Sequence, residues 1–217
     1  MRLAKFFLLL AALLVVSSAQ AQKIWAAPDW AWAKAKEQGG AHFTLSTGAH
    51  HQLSAPTLDL LVDMKARLTK ASGFDHVLAI SEYDAPNAFA IPDFQGSPTV
   101  ALTLALLRAL DGESDALAAV YAHELAHLVY KHGGHQEREK RVQTEGSGFL
   151  LEQEREADKL GLQWSVAAGF NPCGLIVVNQ RATLPGERKW HPSLKEREDL
   201  ANAAAKQQGR ECSTYGR

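Results

Sequence analysis

Residues 117–128, Leu-Ala-Ala-Val-Tyr-Ala-His-Glu-Leu-Ala-His-Leu, leave this chain little freedom. Apart from His123, Glu124 and His127, the run is apolar or small at every position. A helix that is apolar all round belongs inside a protein. A polar trio on such a helix needs partners, because buried polar groups without them cost free energy. His123 and His127 stand at i and i+4, about 40° apart on one helical face. Two imidazoles at that spacing can turn their nitrogens onto one zinc ion. Glu124, next to the first histidine, can then reach a water on that ion and take its proton. With nine histidines in the chain, H-E-x-x-H is expected only about 0.02 times by chance. The pattern therefore carries more weight than the histidine count does.

A catalytic zinc ordinarily takes three protein ligands and keeps one position open. The next helical stretch offers Glu154-Arg155-Glu156-Ala157-Asp158. Glu154 can be the third ligand. Asp158, one turn later, can accept a hydrogen bond from the outer nitrogen of a ligand histidine and fix its tautomer. Glu152 and Glu156 compete for the ligand role. Glu156, two residues on, faces roughly the other side of the helix, and Glu152 lacks an aspartate one turn later.

The remaining chain reads as segregated elements. A helix is expected from Pro56 to Gly73, with Leu58, Leu61, Val62 and Leu68 at helical spacing. Residues 76–81, 87–91 and 99–103 are strand candidates separated by Pro and Gly signals. Ser114 or Asp115 can cap the metal-type helix, which is expected to run to about His132 and stop at Gly133-Gly134. A charged loop is expected over 134–148, and helices over 149–168, after Asn171-Pro172 and after His191-Pro192. Residues 22–54 give no clear element. Trp25, Trp30 and Trp32 are expected as packing anchors there, and Gly39-Gly40 as a helix break. A helix, a few strands and then helices suggest an α+β fold, mainly helical, with a small sheet beside the metal-type helix.

Residues 1–21 read as a secretory signal. Arg2 and Lys5 precede an apolar run at 6–16, and Ala19-Gln20-Ala21 offers small residues for cleavage. That run is too short to span a bilayer, which takes about 20 residues. Loss of Arg2 and Lys5 takes the net charge from −1 to −3, so binding to nucleic acid through bulk positive charge is excluded. A hydrophobic fraction of 46% excludes a disordered chain. Residues 22–217 are expected to form one domain, with no transmembrane segment after cleavage. Cys173 and Cys212 are too few for a disulfide scaffold, but in an exported protein they can form one bridge.

Four stretches, in order, resemble the gluzincin-type zinc metallopeptidases that include the CAAX prenyl protease, the HtpX membrane proteases and the periplasmic BepA-like proteases. Asn87-Ala88-Phe89-Ala90-Ile91-Pro92 is similar to the family's N-A-F-A-x-P strand. Residues 117–128 resemble its metal-binding helix. Glu154-Arg155-Glu156-Ala157-Asp158, with Gly161 following, resembles its E-x-E-A-D element. His191-Pro192 with Arg197 resembles its H-P-x-x-x-x-R element. The resemblance implies one zinc ion held by His123, His127 and Glu154, with Glu124 as general base and Asp158 behind a ligand. It places His191 facing the metal, either stabilising an oxyanion or occupying the fourth metal position of a latent state. The residues alone allow those roles and equally a cap ahead of a helix. The 87–91 strand would lie beside the cleft with an edge open to an extended peptide. His132, about 140° round from His127 if the helix continued, is left off the metal. His42, His50, His51, His76 and His135 are read as surface or packing residues. Two departures concern the cleft. Only 26 residues separate His127 from Glu154, and Asp93-Phe94-Gln95 follows the strand proline in place of a glycine pair.

The expectation is an exported, periplasmic or secreted zinc endopeptidase acting on protein or peptide substrates, with misfolded envelope proteins as candidates. The alternatives are a zinc-containing but latent or chaperone-like binding module, and a helical domain without metal.

Overall fold

The computed structural model describes residues 23–133, 141, 148–182 and 191–215. The expected leader, His135 and nearly all of the expected charged loop lie outside the described residues.

The chain opens with strand β1 (Ile24–Ala27) and helix α1 (Asp29–Glu37), then the β2 (Gly40–Thr44) and β3 (His50–Ser54) hairpin. None of these was assigned from sequence. Trp32 is buried and its indole N–H donates to the Leu78 carbonyl at 3.2 Å. Trp25 packs on Phe43 with ring centroids 4.7 Å apart. Trp30, expected as a third anchor, is instead 70% exposed. Trp30 and Trp32 lie two residues apart on a helix, about 200° round, so only one can face the core.

Helix α2 (Ala55–Ser72) follows the expected span closely. Ser54 caps its start by accepting from the Thr57 N–H, and Gly73 ends it in the left-handed conformation. Strands β4 (Val77–Ser81), β5 (Ala88–Phe94) and β6 (Ser97–Thr103) come next. Together with β1 they make a four-stranded sheet in the order β1-β4-β6-β5. The β4–β6 pair is parallel, and β1–β4 and β5–β6 are antiparallel. Strand β5 is thus an edge, with a register shift between Ile91 and Phe94 where Pro92 cannot donate to a ladder. The Asn87 N–H donates to the Thr103 hydroxyl at 3.0 Å and ties the start of β5 to the end of β6.

After the short α3 (Leu104–Ala109) comes α4 (Ser114–Val129), which carries the H-E-x-x-H. Its residues are buried on nearly every side, as an all-round apolar helix requires. It packs on β5 and β6, on α5 (Gly148–Ala167) and on α6 (Gly174–Arg181). The final helix, α7 (Leu194–Gln207), and a 3-10 turn (Cys212–Thr214) close the described chain. The result is the expected α+β architecture, mostly helical with a small mixed sheet beside α4.

Two glycines set how closely α4 is packed. A Cβ on Gly161 of α5 would lie 2.7 Å from the His123 nitrogen, and one on Gly174 would lie 2.3 Å from the Asp115 carbonyl carbon. Both approaches exclude any side chain.

The ends of α4 differ from expectation. The N-cap is Glu113, without a side-chain cap, and Ser114 is already helical. The Asp115 carboxylate turns outward, accepting from the Asn171 N–H at 2.9 Å and from the Tyr215 hydroxyl. Tertiary partners have thus displaced the local cap. At the other end the helix stops at Val129, short of His132. Lys131 is left-handed (φ 53°), and the His132 N–H donates to the His127 carbonyl at 3.0 Å.

Cys173 and Cys212 form the expected disulfide, which ties the start of α6 to the closing turn. No helix among the described residues is long and apolar enough to cross a membrane.

Candidate metal centre

The close crossing of α4 and α5 at Gly161 brings Glu154 against the two histidines. His123 Nε2 and His127 Nε2 are 3.1 Å apart. Glu154 Oε2 lies 3.1 Å from His123 Nε2, and Glu154 Oε1 lies 3.4 Å from His127 Nε2. Four ligands placed tetrahedrally at zinc bond lengths would be about 3.3 Å from one another. The His123–His127 separation therefore matches one such edge, and Glu154 turns one carboxylate oxygen to each histidine at a similar distance. All three residues are buried, and their ligand-type atoms form a group able to hold a metal ion.

The field of the pocket favours positive charge. Burial works against charge on His123, but hydrogen bonds with Asp158 and Glu154 outweigh it and push the histidine pKa up to about 10. Burial likewise opposes the Glu154 carboxylate, yet contacts with His123, His127 and His191 hold it well below its usual range. A site that stabilises a cation between these side chains suits a divalent metal, which would take the place of protons.

Each histidine is held from behind, in a different way. His123 Nδ1 is 2.9 Å from Asp158 Oδ1, the arrangement expected from sequence. Arg197 of α7 then donates to both oxygens of Asp158, through Nε at 2.7 Å and Nη2 at 2.9 Å. His127 Nδ1 is 2.9 Å from His132 Nδ1, and His132 Nε2 is 3.0 Å from Glu156 Oε2. His132, expected off the metal from its angle on a continuing helix, stands outside the candidate metal group but returns to touch His127. That angle does not apply, because the helix ends at Val129, three residues before it.

Glu152 is exposed and paired with Arg155, so it takes no part in the cluster. Glu124 is half-buried beside His123 on α4. His191 reaches the site. Its Nδ1 is 2.7 Å from Glu154 Oε2 and its ring centroid is 5.9 Å from that of His123. The cap of α7 is Ser193, in a reciprocal capping box with Glu196, so His191 does not cap that helix. His76 is a buried packing residue, and His42, His50 and His51 lie on the β2–β3 hairpin.

An H-E-x-x-H helix laid against a small sheet, with a glutamate supplied by the next helix, is an arrangement that suits a metal-dependent hydrolase. Residues 52–145 match the sequence profile of peptidase family M48. Together with the His123, His127 and Glu154 cluster, this match supports the M48 zinc metallopeptidase family for the chain. The matched residues end before Glu154, so for Glu154, Asp158, His191 and Arg197 the geometry above carries the argument. No curated protein sequence matches the chain.

Proposed function

We propose that the protein is an exported zinc endopeptidase, comprising a signal peptide at 1–21 and a single peptidase domain at 22–217, that serves protein quality control in the cell envelope. The observation that carries the reading is the buried cluster of His123, His127 and Glu154, whose ligand-type atoms lie within 4.8 Å of one another, backed by the Asp158–Arg197 clamp. The Cys173–Cys212 disulfide supports an oxidising compartment.

His123, His127 and Glu154 are the residues that would hold zinc. When bound, zinc supplies Lewis acidity that polarises a peptide carbonyl and acidifies a water. The chain's own residues do the rest. Asp158 keeps the proton of His123 on Nδ1, leaving Nε2 free as a ligand. Glu124 accepts the proton of the attacking water and passes it to the leaving amine. His191, 28% exposed in its side chain and beside Glu154, can donate to the oxygen on which negative charge develops. The edge of β5, which pairs with no further strand among the described residues, offers backbone groups to an extended substrate peptide.

The test is zinc content and casein cleavage of the purified protein against Glu124→Gln. Loss of cleavage with zinc retained supports the assignment, and equal cleavage by both forms sinks it. The close His191–Glu154 contact favours a second reading, a latent or weakly active module. Activity released by His191→Ala would select that reading.

A further inference from the structure

The two histidines of the cluster are supported by different chemistry. Behind His123 stands a carboxylate clamped by arginine. Behind His127 stands another imidazole, His132, which is 5% exposed and whose far nitrogen meets Glu156. The 2.9 Å contact between His127 Nδ1 and His132 Nδ1 holds only one proton, so one nitrogen donates and the other accepts. His127 faces the cluster through Nε2. A ligating Nε2 carries no proton, so the proton of a neutral His127 sits on Nδ1 and is donated to His132. His132 Nδ1 is then the acceptor. Its own proton is on Nε2 and points at Glu156 Oε2, 3.0 Å away. Every hydrogen-bonding atom in this chain has one consistent role.

We propose that His132 is a positioning residue for the metal centre. It acts as a neutral relay that fixes the tautomer and ring orientation of His127 and is itself oriented by Glu156. This rests on the zinc reading above. It also gives a reason for the abrupt end of α4. With Lys131 left-handed (φ 53°), the chain doubles back and His132 lands over the outer edge of His127. A helix continued to His132 would have carried its side chain away. Glu156 thereby joins the site from the rim, although it lies on the flank of α5 away from Glu154.

The experiment measures zinc affinity by chelator competition in the full-length protein, with histidine nitrogen NMR on the zinc-loaded form. The wild type is expected to show His132 protonated on Nε2, with a scalar coupling across the His127–His132 hydrogen bond. His132→Leu is expected to lose about 10- to 100-fold in zinc affinity. His132→Asn places an oxygen acceptor near the position of Nδ1 and should recover most of that loss, which a purely structural role would not predict. Should His132→Leu fail to fold, Glu156→Ala at the half-exposed rim is expected to weaken zinc binding by a smaller factor. A His132 protonated on Nδ1, an absent coupling, or equal affinity of the wild type and the leucine variant would overturn the proposal. A wild type that takes up no zinc would instead overturn the metal site itself, and the relay with it.

Discussion

Arg197 holds both oxygens of Asp158, with Nε on Oδ2 at 2.7 Å and Nη2 on Oδ1 at 2.9 Å. Both residues are buried. This fork joins α7 to α5 directly behind His123, so α7 is tied to the candidate metal centre. A planar guanidinium suits the two oxygens, and a lysine cannot reproduce that fork.

The first prediction concerns that clamp. Arg197→Met leaves Asp158 buried without the guanidinium that pairs with both its oxygens. Removing one partner of a buried pair costs about 3–5 kcal/mol. Urea denaturation should show a loss of that order, and zinc affinity should fall because His123 is no longer held. Arg197→Lys should recover part of the stability and less of the affinity. If Arg197→Met matched the wild type in both measurements, the clamp would have no such role.

Gly161 is the second. A Cβ there would lie 2.7 Å from the His123 nitrogen, 2.8 Å from the Ala122 carbonyl carbon and 2.9 Å from the His123 Cα, all backbone atoms. Flexible side chains can move aside, but the α4 backbone cannot without carrying His123 with it. Gly161→Ala should therefore cost about 1–3 kcal/mol through overpacking and weaken zinc binding by spreading Glu154 from the histidines. Thermal melting of the metal-free form separates the first effect from the second. An alanine variant as stable as the wild type would mean that the helices separate freely.

The disulfide gives the third. Cys173 and Cys212 close a loop with a sequence separation of 39. Chain-entropy reasoning assigns such a loop roughly 4 kcal/mol. Cys173→Ala with Cys212→Ala should lower stability by up to that amount. It should also loosen the turn through which Tyr215 reaches Asp115 at the start of α4. Reductant should reproduce the loss in the wild type and have no effect on the double variant.

Much of the centre was legible because helical periodicity turns spacing into direction. His123 and His127 had to share a face, and Glu154 and Asp158, one turn apart on the next helix, were expected to meet the histidines, which they do. Three strands of the sheet, β4, β5 and β6, followed from short apolar runs bounded by Pro and Gly, whereas β1 did not. What stayed hidden depended on where a helix ends or on contacts distant in sequence. Nothing local marks Val129 as the last helical residue, since the glycines come at 133 and 134 and Lys131 adopts the left-handed turn a glycine would favour. His132 was therefore pointed the wrong way. Asp115 read as a cap because Asn171 and Tyr215, its actual partners, lie 56 and 100 residues away. Trp30 was misjudged because α1 carries no periodic signal to say which tryptophan faces inward.

The fourth prediction lies behind α4, on the side of Tyr121. His76 Nε2 meets the Tyr121 hydroxyl at 2.8 Å, and Nδ1 meets the Phe74 carbonyl at 3.1 Å. A neutral ring satisfies both contacts, with Nδ1–H donating to the carbonyl and Nε2 accepting from the tyrosine. Burial, aided by the nearby Lys65 charge and opposed by the Phe74 carbonyl, Asp75 and Asp29, lowers the His76 pKa to about 4. The ordinary value is 6.5. Between these two pH values the unfolded chain binds a proton that the folded one refuses, so stability rises with pH across the window. The contribution is fully present above about pH 6.5 and is lost as pH falls toward 4. It amounts to roughly 3 kcal/mol in all. His76→Gln keeps an acceptor for Tyr121 but cannot titrate. Urea denaturation of the metal-free protein at pH 7 and pH 4.5 should show a smaller loss for the variant than for the wild type. Carboxylates that titrate in the same window cancel in that difference. An identical pH dependence in both forms would show that His76 takes up its proton without unfolding.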